Sequence, residues 1–146
     1  MSAASPRHSV SVAAAIVNAH GQVLAVRRRD NGRWEPPGGV LELDEGVEEG
    51  LIREVYEETG VRVRQPRLTG LYKNMPRGIV ALVFRCDTWA GTATPTPEAR
   101  EVRWLDADEV STLMSEAYAI RILDALSDGP PVVRTHDGQV LLTDRT

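Results

Sequence analysis

The chain has 146 residues, 42% apolar and 26% charged, with a net charge of −4 from 17 basic and 21 acidic side chains. That composition suits one globular domain with a sizeable core, offers no apolar run long enough to span a bilayer, and argues against a nucleic-acid binder, which needs a basic face. Cys86 is the only cysteine, so no intrachain disulfide is expected, and the N-terminus lacks a secretory pattern; a cytoplasmic home fits both.

Residues 1–9 read as a flexible N-terminus and 10–146 as a single domain. Val10, Val12, Ala14 and Ile16 alternate, Asn18 to Gly21 supply turn residues, and Val23 to Val26 form a second apolar run, which together predict a β-hairpin. Arg27 to Arg33 is polar, and Pro36-Pro37-Gly38-Gly39 predicts a shaped loop excluded from both helix and regular ladder. From Glu45 to Thr59 the pattern is helical, with Leu51, Ile52, Val55 and Tyr56 on one stripe and Gly60 as the stop; Gly50 should weaken it by roughly 1 kcal/mol relative to alanine. A strand is expected within Arg62 to Tyr72, then a loop over Lys73 to Gly78. The apolar run Ile79 to Phe84 predicts a strand covered on both faces, hence helices on both sides of a sheet. A loop over Thr92 to Pro97 leads to a short strand near Val102 to Leu105, a helix start at Asp106 to Val110, and a helix carrying Ile120, Leu123 and Leu126. Val132-Val133 and Val140 to Leu142 flank Asp137-Gly138, a tight-turn signal.

Charge is unevenly spread. Between Gly39 and Val61 lie eight acids and only Arg53 as a base, a balance of −7, which leaves the remainder at +3. Most acidic runs are solvated helix faces, but Glu54, Glu57 and Glu58 stand at i, i+3 and i+4, so their carboxylates converge on one face and repel. Arg53 sits one residue round and cannot neutralise all three. A hard divalent cation would resolve the repulsion, because Mg²⁺ takes carboxylate oxygens, keeps waters and also ligates phosphates. The pattern therefore points to phosphate chemistry, with metal-neutralised oxygens and an activated water.

The spacing around these acids resembles the Nudix hydrolase family. Gly39 is followed after five residues by Glu45 and after seven more by Arg53-Glu54-Val55; then come Glu57-Glu58, Gly60 and Val61, a complete Nudix box. The N-terminal hairpin, a Trp shortly before Pro-Gly-Gly, and acids ahead of Trp104 (Glu98 and Glu101) extend the likeness over roughly residues 10 to 126. The resemblance implies an α/β fold, a Nudix-type α/β/α sandwich with a mixed β-sheet, and Mg²⁺-dependent hydrolysis of a pyrophosphate bond in a nucleoside diphosphate derivative. Mn²⁺ is the alternative metal. Carried over residue by residue, Glu54, Glu57 and Glu58 would ligate metal together with the Gly38 carbonyl, Arg53 would orient a catalytic glutamate, and Glu45 would support the cluster. A further acid from a later loop is expected, with Glu101 the first choice and Glu98 the second. The expected partner is a small nucleotide, with no nucleic acid and no membrane; a homodimer would be in keeping with the family.

Other residues carry weaker signals. Arg27, Arg28 and Arg29, like Lys73 and Arg77, divide evenly between phosphate binding and solvated turns. By the same resemblance Pro76, fifteen residues beyond the box where some ADP-ribose-cleaving relatives carry proline, inclines slightly towards ADP-ribose-like substrates. Trp34 reads as a packing anchor more than a base-stacking platform. His8, His20, His136 and Cys86 receive no catalytic role. Two other readings stand beside the hydrolase: a silent nucleotide sensor, against which the intact acids weigh, and an isoprenoid diphosphate isomerase, which should need a placed cysteine.

Overall fold

The structure, a computed structural model, describes residues 5–142. Two sheets and three helices make up the fold among these residues. The strands are β1 (Ser9–Ile16), β2 (Val23–Arg28), β3 (Trp34–Glu35), β4 (Gly38–Val40), β5 (Arg62–Asn74), β6 (Ile79–Ala90), β7 (Ala99–Leu105) and β8 (Val132–His136); the helices are α1 (Val47–Thr59), α2 (Ala107–Leu113) and α3 (Glu116–Leu126). The larger sheet has the order β4-β1-β6-β5-β8 and the smaller one β3-β2-β7. The larger sheet is mixed: β1 runs parallel to β6 and β5 parallel to β8, while β1–β4 and β5–β6 are antiparallel.

Side-chain alternation explains the layering. On β1, Val12, Ala14 and Ile16 pack with Leu51 and Val55 of α1 and with Phe84 and Cys86 of β6. Ala13 faces the other way, with Tyr72, Ala81 and Val83, against Ile120 of α3. Helices thus cover both faces of the larger sheet, as the apolar run in β6 predicts. That strand continues past Phe84 to Ala90 and takes in Cys86.

Three local expectations need correction. β1 and β2 do form, yet they do not pair as a hairpin: each enters a different sheet, and only the Val17–Val23 bridge joins their ends. The turn chemistry is as expected, with the Asn18 carboxamide oxygen accepting from the His20 and Gln22 amides, but tertiary partners decide the pairing. Gly38 and Gly39 are not excluded from a ladder. They form β4, opposite Ala13 and Val12 of β1. An ideal Cβ on Gly38 would overlap the Val12 carbonyl oxygen and lie 2.7 Å from Ala13 Cα, so the glycine permits close approach and is not serving as a loop former. Finally, β8 joins the larger sheet beside β5, while Val140 to Leu142 contribute only a bridge from His136 to Leu141. Of the N-terminal stretch read as flexible, residues 1–4 lie outside the described residues, as do 143–146 at the other end.

Helix α1 begins two residues after the expected start and ends at Gly60, whose backbone is left-handed (φ 76°) and whose N–H donates to the Tyr56 carbonyl. Gly50 is buried against the space of Leu41 and the Glu45 carboxylate, where a methyl group would not fit. Its intrinsic helix penalty is the cost of bringing the loop before the helix onto the helix itself.

Candidate active site

The loop from Trp34 to Gly46 and helix α1 together shape an acidic cleft. Because β4 is pinned to β1, the Gly38-Gly39 backbone lies over the C-terminal half of α1, against Glu54 and Glu58. The Gly38 N–H donates to Glu58 Oε1 at 3.2 Å. A Cβ on Gly39 would stand 2.5 Å from Cδ of Glu54 and 2.7 Å from its Oε1, so the absent side chain leaves the room that the carboxylate occupies.

Arg53 ties the box together. Its Nε and Nη2 donate to the two oxygens of Glu45 at 2.8 and 2.6 Å, and its Nη1 donates to Glu54 Oε1 and Glu57 Oε2, each at 3.1 Å. The hydrogen bonds from Arg53, with one from the Glu42 amide, hold the Glu45 carboxyl down to about 2. Arg53 does not reach Glu58.

Carboxylate oxygens of Glu54, Glu58 and Glu98 lie within 4.8 Å of one another. Glu58 is buried, at 6% exposure. Burial pushes its carboxyl up to about 8, with the charges of Glu54 and Glu98 adding and the Gly38 amide opposing. Burial also raises Glu54, against the pull of Arg53. Three oxygen donors converging with too little positive charge suit a hard divalent cation, which would replace mutual repulsion with attraction.

Of the residues singled out in the sequence, Glu54 and Glu58 are brought together with Glu98. Glu57 stands one step outside, its side chain 48% exposed and leaning on Arg53. Glu101 does not join them. The antiparallel register of β7 on β2 sets it opposite Arg27, whose Nη1 it accepts at 3.0 Å, while Glu98 lies just before the strand and is free to turn inwards. Arg27 is thereby committed to Glu101 and to the Gly32 carbonyl. Arg29 donates to the carbonyls of Pro97 and Thr96, holding the loop that carries Glu98. Arg28 pairs with Asp30 at 2.8 Å.

Two adjoining cavities open here. One, about 220 Å³, is lined by Arg28, Arg29, Asp30, Glu58, Pro97 and Glu98. The other, about 700 Å³, shares Arg28 and Asp30 with it and runs past Gly38 and Gly39 to Glu35, Tyr118 and Arg121. Pro76 and Arg77 line the larger cavity as well. Trp34 is buried among Ala25, Leu105 and Ile122, the packing role expected of it. His136 is fully buried at the end of β8, where its Nδ1 accepts from the Gly138 amide and its Nε2 lies 3.3 Å from Arg121 Nη2. Sequence reading passed over Arg121, although it follows Ala117 and precedes Ala125 by four residues on the buried stripe of α3. A charge at that spacing was the available signal.

The NUDIX domain family model matches residues 7–126. A MutT-like protein of Streptomyces ambofaciens is 58% identical over 137 residues, covering 94% of this chain and 89% of that protein. The chain belongs to the Nudix family. An ADP-ribose pyrophosphatase of Methanocaldococcus jannaschii is 31% identical over 105 residues, 67% of this chain and 62% of the relative. Among solved structures, an ADP-ribose pyrophosphatase from Streptococcus suis superposes with a TM-score of 0.75 at 22% identity, covering 89% of this chain and 100% of that one. A MutT protein from Bacillus halodurans gives 0.73 at 25%, covering 92% and 95%. These structural likenesses confirm the α/β Nudix fold. As a Nudix hydrolase the chain acts on phosphoric anhydrides, and Nudix enzymes take small nucleotide substrates and generally use divalent metals. No helix among the described residues is long and apolar enough to cross a membrane. The buried thiol of Cys86, pushed up to about 12 chiefly by desolvation, is no nucleophile, which removes the ground for the isomerase reading.

Proposed function

We propose that this Nudix hydrolase cleaves the pyrophosphate bond of a nucleoside diphosphate linked to another group (a nucleoside triphosphate, an oxidised nucleotide or an ADP-ribose-like nucleotide sugar) with Mg²⁺ or Mn²⁺. The convergence of Glu54, Glu58 and Glu98 oxygens carries this reading, with Glu58 and Glu98 lining the smaller cavity that shares Arg28 and Asp30 with the larger, nucleotide-sized one. These three acids, with Glu57 and the Gly38 carbonyl, are the proposed metal-binding set. A divalent cation held there would neutralise phosphate oxygens and lower the pKa of an attacking water.

The chain's own residues do the rest. Arg53 fixes Glu54 and Glu57 against their mutual repulsion, and Glu45 in turn fixes Arg53. Glu57 remains half exposed, so its carboxylate is accessible to accept a proton from water. Arg28, standing between the two cavities, is placed to bind phosphate oxygens that bridge them. Glu98 replaces Glu101 as the later-loop acid of this proposal.

The test is turnover. Purified protein is incubated with Mg²⁺ and a panel of nucleoside triphosphates, oxidised nucleotides and nucleotide sugars, and products are resolved by chromatography. Glu57→Gln should cut kcat by orders of magnitude while the melting temperature stays put. Equal activity in the variant would overturn the assignment.

A further inference from the structure

The larger cavity contains a cation that the proposed chemistry does not use. Arg121 projects from α3 to the cavity wall and is only 7% exposed. A guanidinium has five N–H donors to satisfy. Among the described residues its one polar side-chain contact is Nη2 to His136 Nε2 at 3.3 Å, where a neutral ring that accepts the Gly138 amide on Nδ1 carries its own proton, and its buried Nε has no partner. No carboxylate pairs with it among the described residues. Instead its guanidinium lies over the rings of Tyr118 and Tyr72, 4.6 and 5.4 Å from their centroids. Aromatic faces offset only part of the cost of burying a charge.

We propose that Arg121 is a specificity-determining residue, whose guanidinium binds an oxygen acceptor, carbonyl or anionic, on the part of the substrate remote from the scissile pyrophosphate. The inference rests on the pyrophosphohydrolase reading given above. Its geometry follows from the two cavities sharing Arg28 and Asp30: a ligand whose phosphates lie against the acids extends past Gly38 and Gly39 towards α3. Of the other cations lining the cavity, Arg33 and Arg77 are exposed to solvent and Arg28 already has a carboxylate partner. Arg28 is paired with Asp30, and Asp137 accepts from the amides of Gln139 and Val140. Glu35, half-buried on the same wall and 3.7 Å from Arg28, acts on Arg121 only at longer range, so it leaves the guanidinium donors open to a bound group. A residue kept only for stability would be saturated by protein partners. An incompletely bonded guanidinium on a cavity wall is arranged for a ligand instead.

Acceptor oxygens can come from a base carbonyl or from an acid group on a nucleotide sugar. GTP against ATP and UDP-glucuronate against UDP-glucose separate these sources. Each pair is measured by turnover with Mg²⁺ and by equilibrium binding in Ca²⁺, for the wild type, Arg121→Met and Arg121→Lys. In at least one pair the wild type should favour the acceptor-bearing member tenfold or more. Arg121→Met should bring that ratio close to one through KM, leaving kcat for the other member within about twofold. Its melting temperature should be unchanged or higher, because a buried unpaired charge has gone; Arg121→Lys should recover part of the preference.

A wild type with no preference in either pair overturns the proposal whatever the variants do. So does a variant that loses stability and slows every substrate equally. If binding shows the Arg121-dependent preference but nothing is hydrolysed, the hydrolase reading fails while the recognition role stands.

Discussion

Gly39→Ala separates the chemistry of the site from its stability. Without displacement, the new methyl group would sit 2.5 Å from Cδ of Glu54, where 3.4 Å is the near limit of ordinary contact. The carboxylate must therefore retreat by roughly 0.9 Å, close to the ~1 Å misplacement that costs about 10²-fold in rate. Only the far end of a flexible side chain has to move. An off-rotamer cost of about 0.5–1.5 kcal/mol is set against an unfolded-state gain of about 0.4–1 kcal/mol for Gly→Ala, so stability should hardly change. Gly38→Ala is the contrasting variant. There the methyl group meets the backbone of Val12 and Ala13, which cannot swing aside without parting β4 from β1, and a loss of about 3 kcal/mol or more is expected. Steady-state kinetics and urea denaturation on both variants, together with Gly39→Ala/Glu54→Gln, form the assay. Because the first substitution acts through Glu54, the double variant should be no slower than Glu54→Gln within about twofold. Rate losses that multiply, or full activity in Gly39→Ala, would refute the reasoning.

Two further outcomes follow from the geometry. Glu98→Gln should weaken divalent-metal affinity and lower kcat at least tenfold, whereas Glu101→Gln should leave both within about twofold, since Glu101 only pairs with Arg27 at the surface; Mg²⁺ titration of activity checks both. His136 is buried, and burial first and then the Arg121 charge hold it below its usual 6.5. As pH falls below 6.5 the unfolded chain takes up a proton that the folded chain resists, so stability declines with acidity; His136→Gln should flatten that decline in urea midpoints down to about pH 5.

The parts legible in the sequence were those set by local spacing. Glu54, Glu57 and Glu58 on one helical face, and Gly60 as the stop, depend on the 3.6-residue repeat and on side-chain chemistry near each residue. The errors arose where distant chain decides. The Asn18 turn forms as expected, yet nothing within Val10 to Val26 says that β1 pairs with β4 and β6 and β2 with β3 and β7. Gly38 and Gly39 look like loop formers until the backbone of β1 and the carboxylate of Glu54 are seen filling the space of their missing side chains. The choice between Glu98 and Glu101 turned on the β2–β7 register, which places Arg27 opposite Glu101. Arg121 and His136 meet only because β8 runs beside β5, next to α3, a closure invisible from either segment alone.

The arrangement of positive charge around α1 explains why the helix keeps an acid cluster that its own stability disfavours. One guanidinium, Arg53, compensates Glu45, Glu54 and Glu57 and forms no ion pair with Glu58. Among the described residues neither Glu58 nor Glu98 has an ion-pair partner, although Arg28 and Arg29 line the same cleft. Those two arginines are engaged with Asp30 and with loop carbonyls. The uncompensated charge is therefore concentrated at the one place where the Gly38 amide, a shared carboxylate from α1 and the loop before β7 converge. Had Arg53 been able to reach Glu58, the helix would be better neutralised and a cation would gain less by binding. The reach of a single side chain thus leaves Glu58 and Glu98 without a compensating cation beside the Glu54 carboxylate, at the place proposed to hold metal.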